Sequence, residues 1–304
     1  MEKRTLGRTG LEVTVIGFGA LAISGSFLGP ADDAVSNLAL HEAVDAGMNF
    51  IDTSNAYGQG HSEEVIGKFL KEFAARDRIL IGTKGGNLMQ NGKRNFAPEY
   101  IRECFEGSLK RLGVDAIDLY LLHNPTVDNM RAEESFDLLD GFVSQGKLKH
   151  WGVSVNTLPE CEWAVSCGRP SVMQMEYNIV AQGAAGVFAQ AKKAGVGVIS
   201  RAPLMRGFLS GRFAEDHVFA EGDWRRQILA PEKVRAFQGK LGSLQEVAAE
   251  LGRSAAEVAI RFCVSNPNVS TVIPGVRTPE QAKSNAAACE PLPQNVLEKL
   301  LRLS

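Results

Sequence analysis

At 304 residues, with 44% hydrophobic and 22% charged positions, the chain has the length of one α/β barrel and enough apolar material for a large core. A formal net charge of −2 gives no bulk electrostatic pull toward nucleic acid or an anionic membrane. No apolar run of about 18 residues is present to cross a bilayer, and the opening MEKRTLGRTG lacks the apolar core of a signal peptide.

Cys104, Cys161, Cys167, Cys263 and Cys289 form an odd set with no CxxC, so reduced, mostly buried thiols in a cytoplasmic protein are expected. No low-complexity tract or linker interrupts the sequence, which argues for one domain over residues 1–304.

Taken in chain order, Gly7-Arg8-Thr9-Gly10 lies between short runs and reads as a hairpin that would plug the bottom of a barrel. Apolar runs predict strands at Val13–Phe18, Met48–Asp52, Ile79–Thr83, Ile117–Leu122, His150–Val155, Val172–Glu176, Val196–Ser200 and Val269–Ile273. Several are almost continuously apolar, as parallel strands buried on both faces are. Helical signals fall between them. Ser62, followed by Glu63 and Glu64, reads as the cap of a helix carrying Val65, Ile66, Phe69 and Leu70 on one face. Pro98 opens a helix to Leu112, with Lys110 and Arg111 in its last turn and Gly113 after it. Phe136, Leu139 and Phe142 mark another, stopped near Gly146. Capping boxes are expected at Ser243/Glu246, Ser254/Glu257 and Thr278/Gln281, and Gly47, Gly113, Gly146 and Gly195 each close a helix ahead of a strand. The stretch Leu204–Lys240 is the main interruption, of a length that usually carries function. Eight strands with seven or eight helices point to a (β/α)8 TIM barrel; the same alternation also permits an open doubly wound sheet.

Gly17-Phe18-Gly19-Ala20-Leu21-Ala22 fits GxGxxA, but a dinucleotide fingerprint must open a helix directly. Here Gly25, Gly29 and Pro30 intervene, and helical periodicity starts only after Asp32, so a tight loop is the better reading. The informative signals stand at strand ends. Asp52 ends MNFID, Tyr57 follows in TSNAYG, Lys84 ends ILIGTK and His123 ends IDLYLLH. Each alone has an ordinary structural reading, as a loop cap, a snorkelling surface charge or a satisfied hydrogen-bonder. In a barrel, however, the C-terminal strand ends share one rim, where chemistry is placed.

The four side-chain types suit carbonyl reduction. A tyrosine hydroxyl, with an unperturbed pKa of about 10, is protonated at neutral pH but a weak acid. A neighbouring ammonium favours phenolate and eases proton donation. A carboxylate keeps that ammonium charged and placed, and a histidine orients the carbonyl oxygen. The roles are then Tyr57 as acid/base, Lys84 as its electrostatic tuner, Asp52 as the lysine's partner and His123 as substrate orienter.

Over essentially its whole length the chain resembles the aldo-keto reductase superfamily. Asp52, Tyr57, Lys84 and His123 match the family's Asp, Tyr, Lys, His tetrad. GMNFIDTSNAYGQGHSEEVIGKFL is similar to its signature after the second strand, and LGRTGLEVTVIGFGA to its N-terminal hairpin and first strand. The resemblance implies a cofactor of the NADPH type, with NADH as the alternative. It puts Gly19, Ala20 and Asp52 on that cofactor, Ser154 and Asn156 of GVSVN and Gln174 of QMEYN on its carboxamide, and Arg201 where many members stack an aromatic residue on nicotinamide. A guanidinium plane can also stack. Pro203 and Leu204 line the pyrophosphate path, with Arg206 and Gly207 nearby. IPGVRTPEQAKSN supplies Gly275, Arg277, Gln281 and Asn285 to the adenosine end, where a helix start also suits a phosphate. Ser284 stands where the family often has Glu, and Gln281 where many members hold a 2′-phosphate with a basic residue, so Arg277 is the candidate for that charge.

The expected substrate is a small aldehyde, ketone or sugar, held among the Ala20–Leu28 loop, the segment after His123, the Trp151 region and Leu204–Lys240, with Leu21, Phe27, Phe213 and Trp224 as apolar walls. Two alternatives stand beside this reading. One is a Schiff-base aldolase using Lys84. The other is a nucleotide-binding regulatory subunit like the family's potassium-channel β-subunits, whose histidine is often changed, whereas His123 is kept here. No HExxH or clustered His/Cys set points to a metal.

Overall fold

The structure, a computed structural model, describes residues 1–303 apart from 27, 74–75, 89–92, 214–216, 220, 222 and 229–230. The chain starts with an antiparallel hairpin, β1 (Lys3–Thr5) against β2 (Glu12–Thr14), paired from Lys3↔Thr14 to Thr5↔Glu12. Eight parallel strands follow in sequential order: β3 (Phe18–Gly19), β4 (Phe50–Asp52), β5 (Leu80–Gly85), β6 (Ile117–His123), β7 (Leu148–Ser154), β8 (Val172–Glu176), β9 (Gly197–Arg201) and β10 (Thr271–Ile273). Parallel bridges Ile16↔Val272 and Gly19↔Gly275 join the last strand to the first and close the barrel, with Gly17 N donating to Val272 O at 2.8 Å. Closure removes the sheet edges and decides against the open doubly wound sheet.

The helices are α1 (Asp33–Asp45), α2 (His61–Glu72), α3 (Pro98–Leu112), α4 (Val127–Arg131), α5 (Glu134–Ser144), α6 (Leu158–Ser166), α7 (Ala185–Lys193), α8 (Arg225–Ile228), α9 (Pro231–Glu250), α10 (Ala255–Val264), α11 (Pro279–Ala287) and α12 (Gln294–Leu301). Asp32 caps α1 by accepting from the amides of Ala34 and Val35, and Gly113, left-handed at φ 67°, ends α3. The core has two parts. Leu6, Val13, Phe50, Leu119, Leu121, Val172, Ile199 and Ile273 fill the barrel, with Leu6 and Val13 supplied by the hairpin that plugs it. The larger cluster lies between the strands and the surrounding helices.

Four expectations change. The apolar run Val13–Phe18 is not one strand. Residues 12–14 belong to the hairpin and the barrel strand begins beyond Ile16, because Thr14 turns its hydroxyl onto Ile16 O and its amide onto Asn49 Oδ1. Ser62 is not a cap. Gly60, at φ 94°, precedes α2, and the buried Ser62 Oγ bonds Thr53 Oγ and Ala20 O instead. Ser243 and Glu246 lie inside the continuous α9, so no box forms there. Ser254 and Thr278 do cap their helices, but neither box is completed: Glu257 Oε1 lies 3.6 Å from both Arg253 and Arg261, and Gln281 Oε1 accepts from Arg277 N. Cys104, Cys161 and Cys263 are buried and Cys167 and Cys289 half-buried, all as free thiols. Among the described residues no helix is long and apolar enough to cross a membrane.

Candidate active site

Asp52, Lys84 and His123 sit at or next to the C-terminal ends of the neighbouring strands β4, β5 and β6, and Tyr57 stands on the loop after β4. The Lys84 side chain is fully buried. Its ammonium donates to Asp52 Oδ1 at 2.5 Å, to Thr53 O at 2.8 Å and to Tyr57 Oη at 3.5 Å. Burial alone would lower the lysine's pKa, but the Asp52 carboxylate and Tyr57 outweigh it, so the net displacement is upward and the ammonium keeps its charge. The other Asp52 oxygen accepts from Gln174 Nε2 at 2.7 Å, so both carboxylate oxygens are engaged. This is how a buried ion pair is tolerated: each partner is hydrogen-bonded beyond the pair itself.

Tyr57 and His123 meet edge to face, with ring centroids 6.0 Å apart, and the Lys84 ammonium lies 5.1 Å from the Tyr57 ring centre. Ser54 Oγ is 3.0 Å from His123 Nδ1. Burial, then the positive charges of Lys84, Arg201 and Arg94, hold the imidazole well below its ordinary range, so it is neutral at neutral pH. All four residues of the expected tetrad are thus brought together. Ser54 was not singled out in the sequence, where it is one of several hydroxyl residues in TSNAYG.

The expected cofactor residues surround this centre along the rim. Ser154 Oγ lies 3.3 Å from Gln174 Oε1 on the adjoining strands β7 and β8. Glu160, at the start of α6, accepts from the amides of Asn156 and Thr157 at 2.9 and 3.0 Å and so fixes Asn156. Arg201, at the end of β9, donates to Asn156 Oδ1 at 2.8 Å, Val155 O at 3.2 Å and Glu176 Oε2 at 3.3 Å. Arg206 reaches the same Glu176 oxygen at 3.5 Å. Glu176 is a second residue missed in the sequence. Strand period two places it on the same face as Gln174, two positions earlier, and that signal could have found it.

Beyond β9 the backbone is left-handed at Ala202 (φ 55°), Met205 (φ 46°), Arg206 (φ 59°) and Gly207 (φ 96°). Three non-glycine residues in this region within five positions store strain of a kind found at ligand clamps. Pro203 and Leu204 lie within this turn. On the facing side Gly19 pairs with Gly275, and a side chain at Gly19 would come within 3 Å of the carbonyls of Ile273 and Pro274. Ala20 follows in a short 3-10 turn. Asn285 Nδ2 donates to Gly275 O at 3.3 Å. Arg277 donates to Leu28 O at 3.0 Å and also to Pro30 O, so it clasps the loop between β3 and α1. That loop and the Tyr57 loop together line a cleft of about 530 Å³ bordered by Ser24, Pro30, Ala56, Gly58 and His61.

Of the expected pocket walls, Leu21 is half-buried, Trp224 lies under the Arg206 guanidinium at 5.2 Å, and Phe213 packs on Phe219 at 4.9 Å. Phe27 lies outside the described residues. Trp151 is not at the rim: it packs outward on Phe136 of α5, with Nε1 donating to Asp140 Oδ1 at 2.6 Å. Among the described residues no group of three or more His, Cys, Asp or Glu side chains is placed to hold a metal.

Residues 15–303 match the model of the Aldo/keto reductase family. The chain is 30% identical over 290 residues to aldo-keto reductase YhdN of Bacillus subtilis, covering 93% of this chain and 87% of that protein. It is 29% identical over 308 residues to a probable voltage-gated potassium channel subunit beta of rice, Oryza sativa subsp. japonica, covering 96% and 92%. Among solved structures it superposes on the holo form of aldo-keto reductase AKR11C1 from Bacillus halodurans with a TM-score of 0.83, at 28% identity over 100% of this chain and 96% of that one. It superposes on the glycerol dehydrogenase AKR11B4 from Gluconobacter oxydans with a TM-score of 0.84, at 26% identity over 96% and 92%.

Proposed function

Since this chain belongs to the aldo/keto reductase family, we propose that it reduces small aldehydes or ketones, or oxidises the matching alcohols, with NADPH as the hydride carrier and Tyr57 as the acid/base. The observation that carries this reading is the Lys84 ammonium, fully buried and held between Asp52 at 2.5 Å and Tyr57 Oη at 3.5 Å. A cation so placed stabilises the phenolate left when Tyr57 gives its proton to the carbonyl oxygen, and costs no reorganisation at that moment. Asp52 and the Thr53 carbonyl keep the ammonium in position, and Gln174 keeps Asp52 in position. His123 is neutral and therefore acts as a hydrogen-bond partner rather than a competing acid. Ser54 Oγ at 3.0 Å engages Nδ1 and leaves Nε2 as the ring nitrogen to orient the carbonyl oxygen, which it does in the tautomer that carries its hydrogen there.

The donor set suits a nicotinamide dinucleotide. Ser154, Asn156 and Gln174 offer amide-recognising groups beside the tetrad, the strained turn 202–207 follows, and Arg277 stands with Thr278 at the start of α11. When bound, the nicotinamide supplies the hydride for the carbonyl carbon. The free thiols support a reducing, cytoplasmic setting. The glycerol dehydrogenase activity of the Gluconobacter neighbour supports a small polyol or its carbonyl counterpart as substrate.

Tyr57→Phe is expected to lower kcat by about 10²–10⁴-fold, the usual worth of a positioned acid, with NADPH affinity unchanged; NADPH oxidation across a carbonyl panel and fluorescence titration measure the two. Retained turnover would remove Tyr57 from the acid's role. Preference for NADPH rests on Arg277. Arg277→Ala is expected to weaken NADPH about ten- to a hundredfold more than NADH, as loss of a charge-assisted bond does. Equal loss for both would assign Arg277 to the Leu28–Pro30 clasp alone.

A further inference from the structure

The strongest unassigned feature of the rim is the way its charges are shared. Glu176 Oε2 lies 3.3 Å from Arg201 and 3.5 Å from Arg206, so one carboxylate serves two guanidinium groups. Asp52 is not available to help, because Lys84 and Gln174 occupy both its oxygens. Lys84 and Asp52 cancel as a pair, and the Arg201–Arg206–Glu176 group retains one net positive charge. The three side chains are 20%, 26% and 21% exposed, so their fields are less screened than those of surface groups. They act on the reaction centre as well: Arg201 is among the charges that bear on His123, after burial and Lys84.

On the reading given above, this rim receives a nicotinamide ring. The ring is cationic when oxidised and neutral when reduced. A positive group beside it repels the first form and is nearly indifferent to the second. The glutamate offsets one of two cations and so limits that repulsion.

We propose that Glu176 is a specificity-determining residue for the redox state of the cofactor: its carboxylate, shared by Arg201 and Arg206, sets the affinity for oxidised nicotinamide relative to reduced. This inference rests on the proposed function. A purely structural brace for Arg201 would affect both forms alike, because the two differ at the ring in charge rather than in shape. The opposite substitution gives an opposite expectation, since removing Arg201's charge relieves the oxidised form.

The test is titration of the full chain with NADP⁺ and with NADPH, following protein fluorescence or heat, in wild type, Glu176→Gln and Arg201→Gln. Glu176→Gln keeps the size and an acceptor oxygen. It is expected to raise the ratio Kd(NADP⁺)/Kd(NADPH) about tenfold, nearly all through NADP⁺, with the effect shrinking as salt is added. Arg201→Gln is expected to lower the same ratio, and it tests the same charge should the glutamine variant misfold. Equal weakening of both forms in Glu176→Gln, or an unmoved ratio in Arg201→Gln, overturns the inference. If the wild type binds neither form, the proposed function itself falls. If it binds both and only the ratios fail to move, the inference falls alone.

Discussion

His123 carries a consequence for stability as well as for chemistry. Burial first, then Lys84, Arg201 and Arg94, hold its imidazole well below the ordinary value of 6.5. The folded chain therefore binds this proton more weakly than the unfolded chain does. By linkage, the neutral histidine contributes no penalty above the unfolded value, and stability is lost as pH falls through about 6.5 and below. His123→Gln removes the titration, so urea midpoints measured between about pH 7 and pH 5 are expected to fall less steeply than in wild type. Parallel slopes would show that another group sets the acid limb. At this scale the sequence was informative where a titratable residue ends an apolar strand, since Asp52, Lys84 and His123 each close such a run. It singled out neither Ser54 nor Glu176. Their importance comes from a partner on another strand, at 3.0 Å for His123 and 3.3 Å for Arg201; no local pattern announces Ser54, whereas Glu176 shares the face of Gln174 by the period of the strand.

At the scale of elements, α2 shows how a helix is pinned to the barrel. Glu63 is fully buried, accepting from Thr83 Oγ1 of β5 at 2.5 Å and from Arg111 Nε of α3 at 2.7 Å. One turn on, Gly67 lets the helices touch: a Cβ there would lie 2.3 Å from the backbone oxygen of Arg111. Gly67→Ala is therefore expected to destabilise the fold by about 1–3 kcal/mol, as overpacking does, although alanine is the better helix former by about 1 kcal/mol. Chemical denaturation checks the sign, and a stabilised variant would mean that α2 and α3 separate at little cost. Periodicity located α2 and α3 because apolar residues recur on one face. It misplaced the start of α2, since Ser62 before two glutamates looks like a cap whether or not Gly60 has already turned the chain. It also fused β2 with β3, because a continuous apolar run carries no period to mark where the chain leaves one sheet for another.

The whole molecule separates its two ends. The tetrad occupies the rim at the C-terminal ends of the strands, whereas the hairpin seals the opposite end by inserting Leu6 and Val13 among Phe50, Leu119, Leu121, Val172, Ile199 and Ile273. Gly197 makes room for this plug, since a Cβ there would come within 2.8 Å of Leu6. Arg8 ties it down through Gly168 O, Arg169 O and Pro170 O, at 2.7, 2.8 and 2.8 Å. Leu6 is completely buried, so Leu6→Ala leaves a cavity at the barrel floor and is expected to cost about 2–5 kcal/mol. Among the described residues, no side-chain hydrogen bond of Asp52, Lys84 or His123 reaches the hairpin. Well below the melting temperature, kcat and KM of Leu6→Ala are therefore expected to match the wild type, with the loss confined to Tm and the urea midpoint. A fall in kcat at a temperature where circular dichroism shows the variant fully folded would mean that the floor sets the geometry of the rim, and that the barrel's stability end and chemical end are mechanically one.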